Sequence, residues 1–287
     1  MPKFNLVLLA CLALHCSTIV ADDEPKSKTL DHWVEYYKEV AKGYDMRLKS
    51  APDEPLTVVA APILVYSNPS SGRDTHGAFF VWTRHGRAEA IAAIWSKRTD
   101  APVTSPRYVN HEFHSLANEP LVAKGTDGLK WAPETPGIEL KLVPDAPIPA
   151  ASRTLRLAQM REILRQFRGF DLYPQEGGSG QEVERELRVL PTPMYRYSET
   201  ENQPASLDGA VFGFFLDWDP EILLVIEVRP TQDGPRWHYG VGRVDNKPLR
   251  LQFNKVDVWT KPENDFGSAN NKYYCKFAVT TRPSEIK

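Results

Sequence analysis

One ordered set of landmarks occurs twice in this chain, and any fold has to accommodate it twice. Pro62-Ile63-Leu64-Val65-Tyr66-Ser67 is answered by Pro193-Met194-Tyr195-Arg196-Tyr197-Ser198, and Gly77-Ala78-Phe79-Phe80-Val81-Trp82 by Gly209-Ala210-Val211-Phe212-Gly213-Phe214. Gly77 stands 17 residues before Ile94, and Gly209 stands 17 before Ile226. Ser105-Pro106-Arg107-Tyr108 matches Gly234-Pro235-Arg236-Trp237. Trp131 and Trp259 each follow the proline of a Pro-Leu pair, Pro120 and Pro248, by 11 residues. Each match alone is weak, but the colinear order argues for one unit used twice.

The runs between these landmarks are short, β-branched and aromatic, with turn residues between them, so they read as strands. Val58 to Ser67, Ala78 to Thr83, Ala90 to Ser96, Arg107 to Leu116 and Leu121 to Trp131 are the expected strands of the first copy. Before them, Leu30, Trp33, Val34, Tyr37, Val40, Ala41 and Tyr44 recur at spacings of three and four, which predicts an amphipathic helix over residues 27–48. A second helix is expected from Arg153 to Phe170, with Leu157, Met160, Leu164 and Phe167 on one face. The fold class read from this pattern is α+β, as two tandem repeats, each an amphipathic helix followed by an antiparallel β-meander. The expected organisation is a signal peptide (1–21), a first repeat (22–132), a Pro-rich connector (133–152) and a second repeat (153–287). Within the connector, residues 138–142 alternate as an edge strand. One helix covers a sheet face only in part, so the two copies are expected to pack together as one body.

The first 21 residues have the form of an export signal: Lys3, an apolar run of about eleven residues, and a small residue, Ala21, at the expected cut. The run is shorter than the ~20 residues that span a bilayer. Leu8-Leu9-Ala10-Cys11 has the form of a lipoprotein box, but cleavage after Ala21 leaves a better-proportioned signal. Export therefore places the chain in the periplasm or outside the cell. Cys11 and Cys16 leave with the signal, so Cys275 is the one mature cysteine, and its strand-like setting reads as a buried small hydrophobe. A formal charge of −2 provides no basic field for nucleic acid.

Gly77-Ala78-Phe79-Phe80-Val81-Trp82-Thr83, His111-Glu112-Phe113-His114-Ser115-Leu116 and Trp131-Ala132-Pro133 resemble one half of a family of secreted proteins common in planctomycete bacteria. Leu207-Asp208-Gly209-Ala210-Val211-Phe212, Asp219-Pro220-Glu221 and Arg236-Trp237-His238-Tyr239 resemble the other half. The resemblance implies an exported bacterial protein and carries over no activity and no catalytic residue.

The candidate chemistry is sparse. His111 and His114 lie three apart in a strand, so they point to opposite faces and do not share a metal. Glu112 and His114 share a face and form a candidate acid–base pair. Asp217-Trp218-Asp219-Pro220-Glu221 places carboxylates at alternate positions of a hairpin loop, a candidate for Ca²⁺, although the glycine and distal glutamate of a calcium loop are missing. Trp218 has no aromatic counterpart in the other copy and is the candidate ligand contact among Trp82, Trp95, Trp131, Trp218, Trp237 and Trp259. Trp131 and Trp259 recur at equivalent places, as do Tyr108 and Trp237, which predicts shared packing. Arg153, Arg156, Arg161, Arg165 and Arg168 put a basic, solvated face on the second helix. Gly177-Gly178-Ser179-Gly180 lacks a phosphate-loop lysine and reads as a linker.

The function expected from these readings is a non-catalytic secreted or envelope protein that binds a partner or an envelope glycan through Trp218, Asp217, Asp219 and Glu221. The alternatives are a secreted hydrolase using Glu112 and His114, and a structural envelope component.

Overall fold

The computed structural model describes residues 24–68, 74–98, 106–125, 130–174, 182–198, 208–262 and 274–281. The expected signal peptide with Cys11 and Cys16, the Gly177–Gly180 linker and the side chain of Cys275 lie outside the described residues.

The first half runs α1 (Glu24–Lys42), β1 (Asp45–Leu48), β2 (Thr57–Val58), β3 (Leu64–Asn68), β4 (Thr75–Arg84), β5 (Arg87–Arg98), β6 (Arg107–Ser115), β7 (Leu121–Lys124) and β8 (Lys130–Trp131). The connector contributes β9 (Lys141–Leu142). The second half runs α2 (Arg153–Leu164), β10 (Phe167–Pro174), β11 (Glu182–Glu186), β12 (Arg188–Val189), β13 (Tyr195–Ser198), β14 (Asp208–Leu216), β15 (Asp219–Thr231), β16 (Gly234–Arg243), β17 (Leu249–Phe253) and β18 (Val256–Lys261). β19 (Tyr274–Thr281) closes the described chain.

The protein is mostly β, with four antiparallel sheets and two helices among the described residues, and this overturns the α+β reading. Neither helix leads into a single meander. β1 leaves the path after α1 to pair with β7, and β8 completes a sheet in the order β1-β7-β8. β10 does the same after α2, in the order β11-β10-β17-β18. The long hairpins form two larger sheets, ordered β19-β6-β5-β4-β2 with β3 beside β4, and β12-β14-β15-β16-β9 with β13 beside β14.

Both helices end six residues before their expected ends, at Lys42 and Leu164. Gly43 closes α1 through its amide to the Glu39 and Val40 carbonyls, and the chain then extends. Asp45–Leu48 next finds Leu121–Lys124, a partner more than 70 residues away that no local pattern announces. The 138–142 edge strand is trimmed to Lys141–Leu142, paired to His238–Tyr239.

The physical reason for the extra sheets is burial on both faces. β4, β5, β14 and β15 are buried at nearly every position, as sheets covered on both sides require. One face of the first large sheet packs Phe80, Trp82 and Phe113 against Trp33 and Tyr37 of α1, Met46 of β1 and Trp131 of β8. The second large sheet packs Phe212, Phe214 and Ile226 against Met160 and Leu164 of α2 and Leu251 of β17. The two remaining faces meet each other, Phe79, Val81, Ile91 and Ala93 lying in one cluster with Val211, Leu223 and Val225.

The pairing registers also correct one of the matched pairs. Ile94 stands opposite His111, and Ile226 opposite Tyr239. Counting from those pairs, Trp237 takes the place of Val109, and Tyr108 is one residue out of step. One step turns a side chain to the other face: Trp237 is buried, whereas Tyr108 is 44% exposed.

Candidate functional site: an acidic cavity at the end of the inter-sheet layer

Strand alternation sends Glu112 of β6 towards the inter-sheet layer, opposite Ala93 in the register. There it lines a cavity of about 250 Å³ together with Asp219 and Glu221 from the start of β15 and Asp245 from the β16–β17 loop. Tyr66, Phe79 and Trp95 form the aromatic part of the wall. Trp95 Nε1 donates to Glu112 Oε2 at 2.9 Å, fixing that carboxylate at the wall. Lys247 is the one cationic side chain in the lining, with Nζ 3.3 Å from Asp245 Oδ2.

Gathering four carboxyl groups around one ammonium carries an electrostatic cost, and the proton affinities record it. Burial, with Glu112 and Asp245 adding like charge, raises Asp219 to about 6. Burial holds Glu221 well above the ordinary carboxylate range, reinforced by Asp245 and Asp219. The Tyr66 hydroxyl is likewise pushed up by burial and then by the neighbouring Asp219 and Glu112. Burial alone would lower Lys247, but Asp245 and Glu221 outweigh it and leave its pKa raised. Lys247 alone does not balance four carboxyl groups, so Asp219 and Glu221 hold protons more tightly than exposed carboxyl groups do unless a further cation joins them.

A related arrangement lies elsewhere in the same inter-sheet layer, and there the cation is built in. Tyr66 pairs with Gly77, whose partner on the next strand is Trp95; Tyr197 pairs with Gly209, whose partner is Glu227. Both glycines are required by close approach. A Cβ at Gly77 would lie 2.4 Å from Trp95 Cβ and 2.9 Å from the Tyr66 ring, and one at Gly209 would lie 2.4 Å from the Tyr197 ring. Asp219 is the first residue after the Asp217–Trp218 turn, as Arg87 is after His85–Gly86. Glu221 and Glu89 then follow two residues on.

In that second arrangement Arg87 Nε donates to Glu227 Oε2 at 2.9 Å and Nη1 to Glu89 Oε2 at 2.7 Å. Tyr197 Oη also donates to Glu227 Oε2, and Arg229 Nη1 to Glu227 Oε1 at 2.8 Å. Burial works against charge on Arg87, yet Glu227 and Glu89 more than reverse this and raise its pKa. Burial pushes Glu227 up, and Arg87 with its other donors brings it below the ordinary range.

The cavity thus brings together Glu112, Asp219 and Glu221 from two separate sequence candidates and leaves three others apart. His114 is fully buried beside Ile91 in the register and does not line the cavity. Asp217 sits at the hairpin tip with φ 55°, its carbonyl accepting from Arg188 Nη2 at 3.1 Å. Trp218 beside it is 55% exposed. Among the described residues no group of three or more His, Cys, Asp and Glu is arranged to hold a metal ion. Tyr66, Phe79, Asp245 and Lys247 were not legible as site residues. The one available signal was that Tyr66 and Tyr197 recur while Trp95 stands where the other copy has Glu227.

The tryptophans divide. Trp82, Trp131 and Trp237 are core residues, and Trp259 is partly buried against the second core. The helix arginines are mostly engaged: Arg156 holds the buried Asp208 at 2.9 Å, Arg161 donates to the Pro191 carbonyl, and Arg165 pairs with Glu162. No helix among the described residues is long and apolar enough to cross a membrane. No protein-family model, curated protein or solved structure matches this chain.

Proposed function

We propose that this is an exported, non-catalytic binding protein whose acidic cavity takes a small organic cation, an alkylammonium or guanidinium group. The observation that carries the reading is the contrast between the two arrangements in the inter-sheet layer. One holds the guanidinium of Arg87 between Glu89 and Glu227, and Tyr197 donates to the same Glu227 carboxylate. The other has Asp219 in the place of the arginine and an open cavity lined by Tyr66, Trp95, Glu112 and Glu221. A ligand cation there restores the charge balance that Arg87 supplies internally. Aromatic rings beside the carboxylates suit a weakly hydrated cation, which is attracted to ring faces as well as to charge. The volume lies below the ~300–1,000 Å³ of sites for drug-sized ligands, so it fits a headgroup or the end of a side chain.

The test is calorimetric titration at pH 7.5 with choline and methylguanidinium, and with 3,3-dimethylbutan-1-ol as the neutral analogue of choline in shape. The expected result is binding of a cation, no binding of the alcohol, and loss of binding in Glu112→Gln. Equal binding of choline and the alcohol, or no binding of either cation, overturns the reading.

A second reading rests on Asp219. A carboxyl group with a pKa of about 6 beside other carboxylates is the pairing used in acid–base hydrolysis, with Glu112 and Asp219 replacing Glu112 and His114 as the candidate pair. Turnover of chromogenic glycosides that disappears in Asp219→Asn would favour hydrolysis over binding.

A further inference from the structure

The acidic cavity also sets the condition under which it takes a cation. We propose that cation binding is an exchange, in which a proton held between Glu221 and Asp245 leaves as the ligand enters. This rests on the cation-binding reading and adds its regulation, an affinity that rises with pH.

The main chain brings the two carboxyl groups together. The Glu221 carbonyl accepts from the amides of Val244 at 2.9 Å and Asp245 at 3.3 Å, which ties the β16–β17 loop to β15. Arg243 of β16 holds the same loop by donating to the carbonyls of Asp245, Asn246, Lys247 and Pro262. Asp245 Oδ1 accepts from the Asn246 amide at 2.6 Å, and the Asp245 carboxyl group shares a hydrogen bond with that of Glu221. Such a bond contains a proton by necessity, because ionised carboxylates only accept. Glu221 is 7% exposed and lines the cavity, yet among the described residues no N–H group donates to its side chain.

The groups facing Glu221 do not supply the missing positive charge. Asp219 on its own strand, Glu112 of β6 and Asp245 are acids, and Tyr66 of β3 is a buried phenol. Arg185 of β11 acts on Glu221 through space, but its Nε donates to Asp171 Oδ1 at 3.1 Å. Lys247 Nζ lies 3.3 Å from Asp245 and 5.6 Å from the centre of the Tyr173 ring. Glu227 shows the opposite state: it is as deeply buried, but Arg87, Arg229 and Tyr197 donate to it and keep it ionised. A ligand ammonium or guanidinium does for Glu221 what Arg87 does for Glu227, and the carboxyl proton passes to solvent. The exchange leaves the net charge of the buried site unchanged, which avoids the cost of adding an unbalanced ion there.

The experiment titrates the protein with choline and methylguanidinium at pH 7.5 in phosphate and in Tris, whose ionisation enthalpies differ, and repeats it at pH 6.5. The difference in heat between buffers counts the protons released. The expected result is about one proton per cation and an affinity that rises about tenfold from pH 6.5 to 7.5. Glu221→Gln binds more weakly and releases no proton. An infrared difference spectrum of the empty protein against Glu221→Gln at pH 7.5 shows a protonated carboxyl band, which choline removes from the wild type. Cation binding without proton release, or an empty protein without that band, overturns the exchange and leaves the cation reading standing. No binding of either cation overturns that reading and the exchange with it.

Discussion

Replacing Arg87 with methionine keeps the aliphatic stem and removes the guanidinium. The Arg87 side chain is 11% exposed, and its partners Glu227 and Glu89 are 0% and 7% exposed. Breaking a buried ion pair from one side costs about 3–5 kcal/mol, because the remaining charge loses its compensation. Two features pull the value towards the lower end. Arg229 still holds Glu227 Oε1, and burial already raises the pKa of Glu89 against the opposing pull of Arg87, so it takes up a proton readily. A loss of about 3 kcal/mol corresponds to a fall of roughly 6–12 °C in Tm for a chain of this size. Urea unfolding at pH 7.5 provides the measurement, and Arg87→Met with Glu227→Gln recovers part of the loss. The charge argument has its own signature: without the guanidinium both carboxylates have raised proton affinity in the folded state, so the deficit shrinks as pH falls towards 4. A packing defect would not change with pH. Arg87→Ala also opens a hole of cation shape, and methylguanidinium at a hundred times its Kd restores ~2.7 kcal/mol. A deficit under about 1 kcal/mol, or one independent of pH, would refute the claim that Arg87 is the internal cation of this layer.

Two further predictions concern the same layer. Asp219 has a folded pKa of about 6 against an ordinary ~3.9 in the unfolded chain, so its ionised form lowers stability above pH 6, and that penalty is relieved as pH falls towards 4. Asp219→Asn therefore raises Tm at pH 7.5 and leaves it unchanged at pH 4; a lower Tm at pH 7.5 would contradict the burial argument. Gly209→Ala puts a Cβ 2.4 Å from the Tyr197 ring, which is itself tied to Glu227, so the ring must move, at a cost of about 1–3 kcal/mol read from urea unfolding. A neutral result would mean that the sheet opens there at no cost.

The hairpins were readable because each is local. The turns at His85–Gly86 and Asp217–Trp218 and the apolar runs around them lie close together in sequence, and β4 and β5 contain the expected runs 78–83 and 90–96. The buried faces of both helices were readable too, since Trp33, Tyr37 and Ala41, and then Met160 and Leu164, follow from helical spacing alone. β1 and the first part of β10 read as helix ends because their partners there, β7 and β17, are distant in sequence. The acidic cavity was half visible. Glu112 and the Asp219–Glu221 pair each stood out, but in separate hypotheses more than 100 residues apart.

What the sequence determined by itself is therefore local: where apolar side chains alternate or recur, where turns interrupt them, and which residue types stand beside one another. Only the tertiary structure decided that the two large sheets face each other. That contact buries Arg87 against Glu227 and leaves Asp219 and Glu221 facing Glu112 across a cavity. The physical reason is that charge is long-ranged only where water is excluded. The same carboxylates, solvated in an unfolded chain, would interact weakly with each other and with any cation. Stacking the sheets removes the water, and with it the freedom to leave those charges unbalanced.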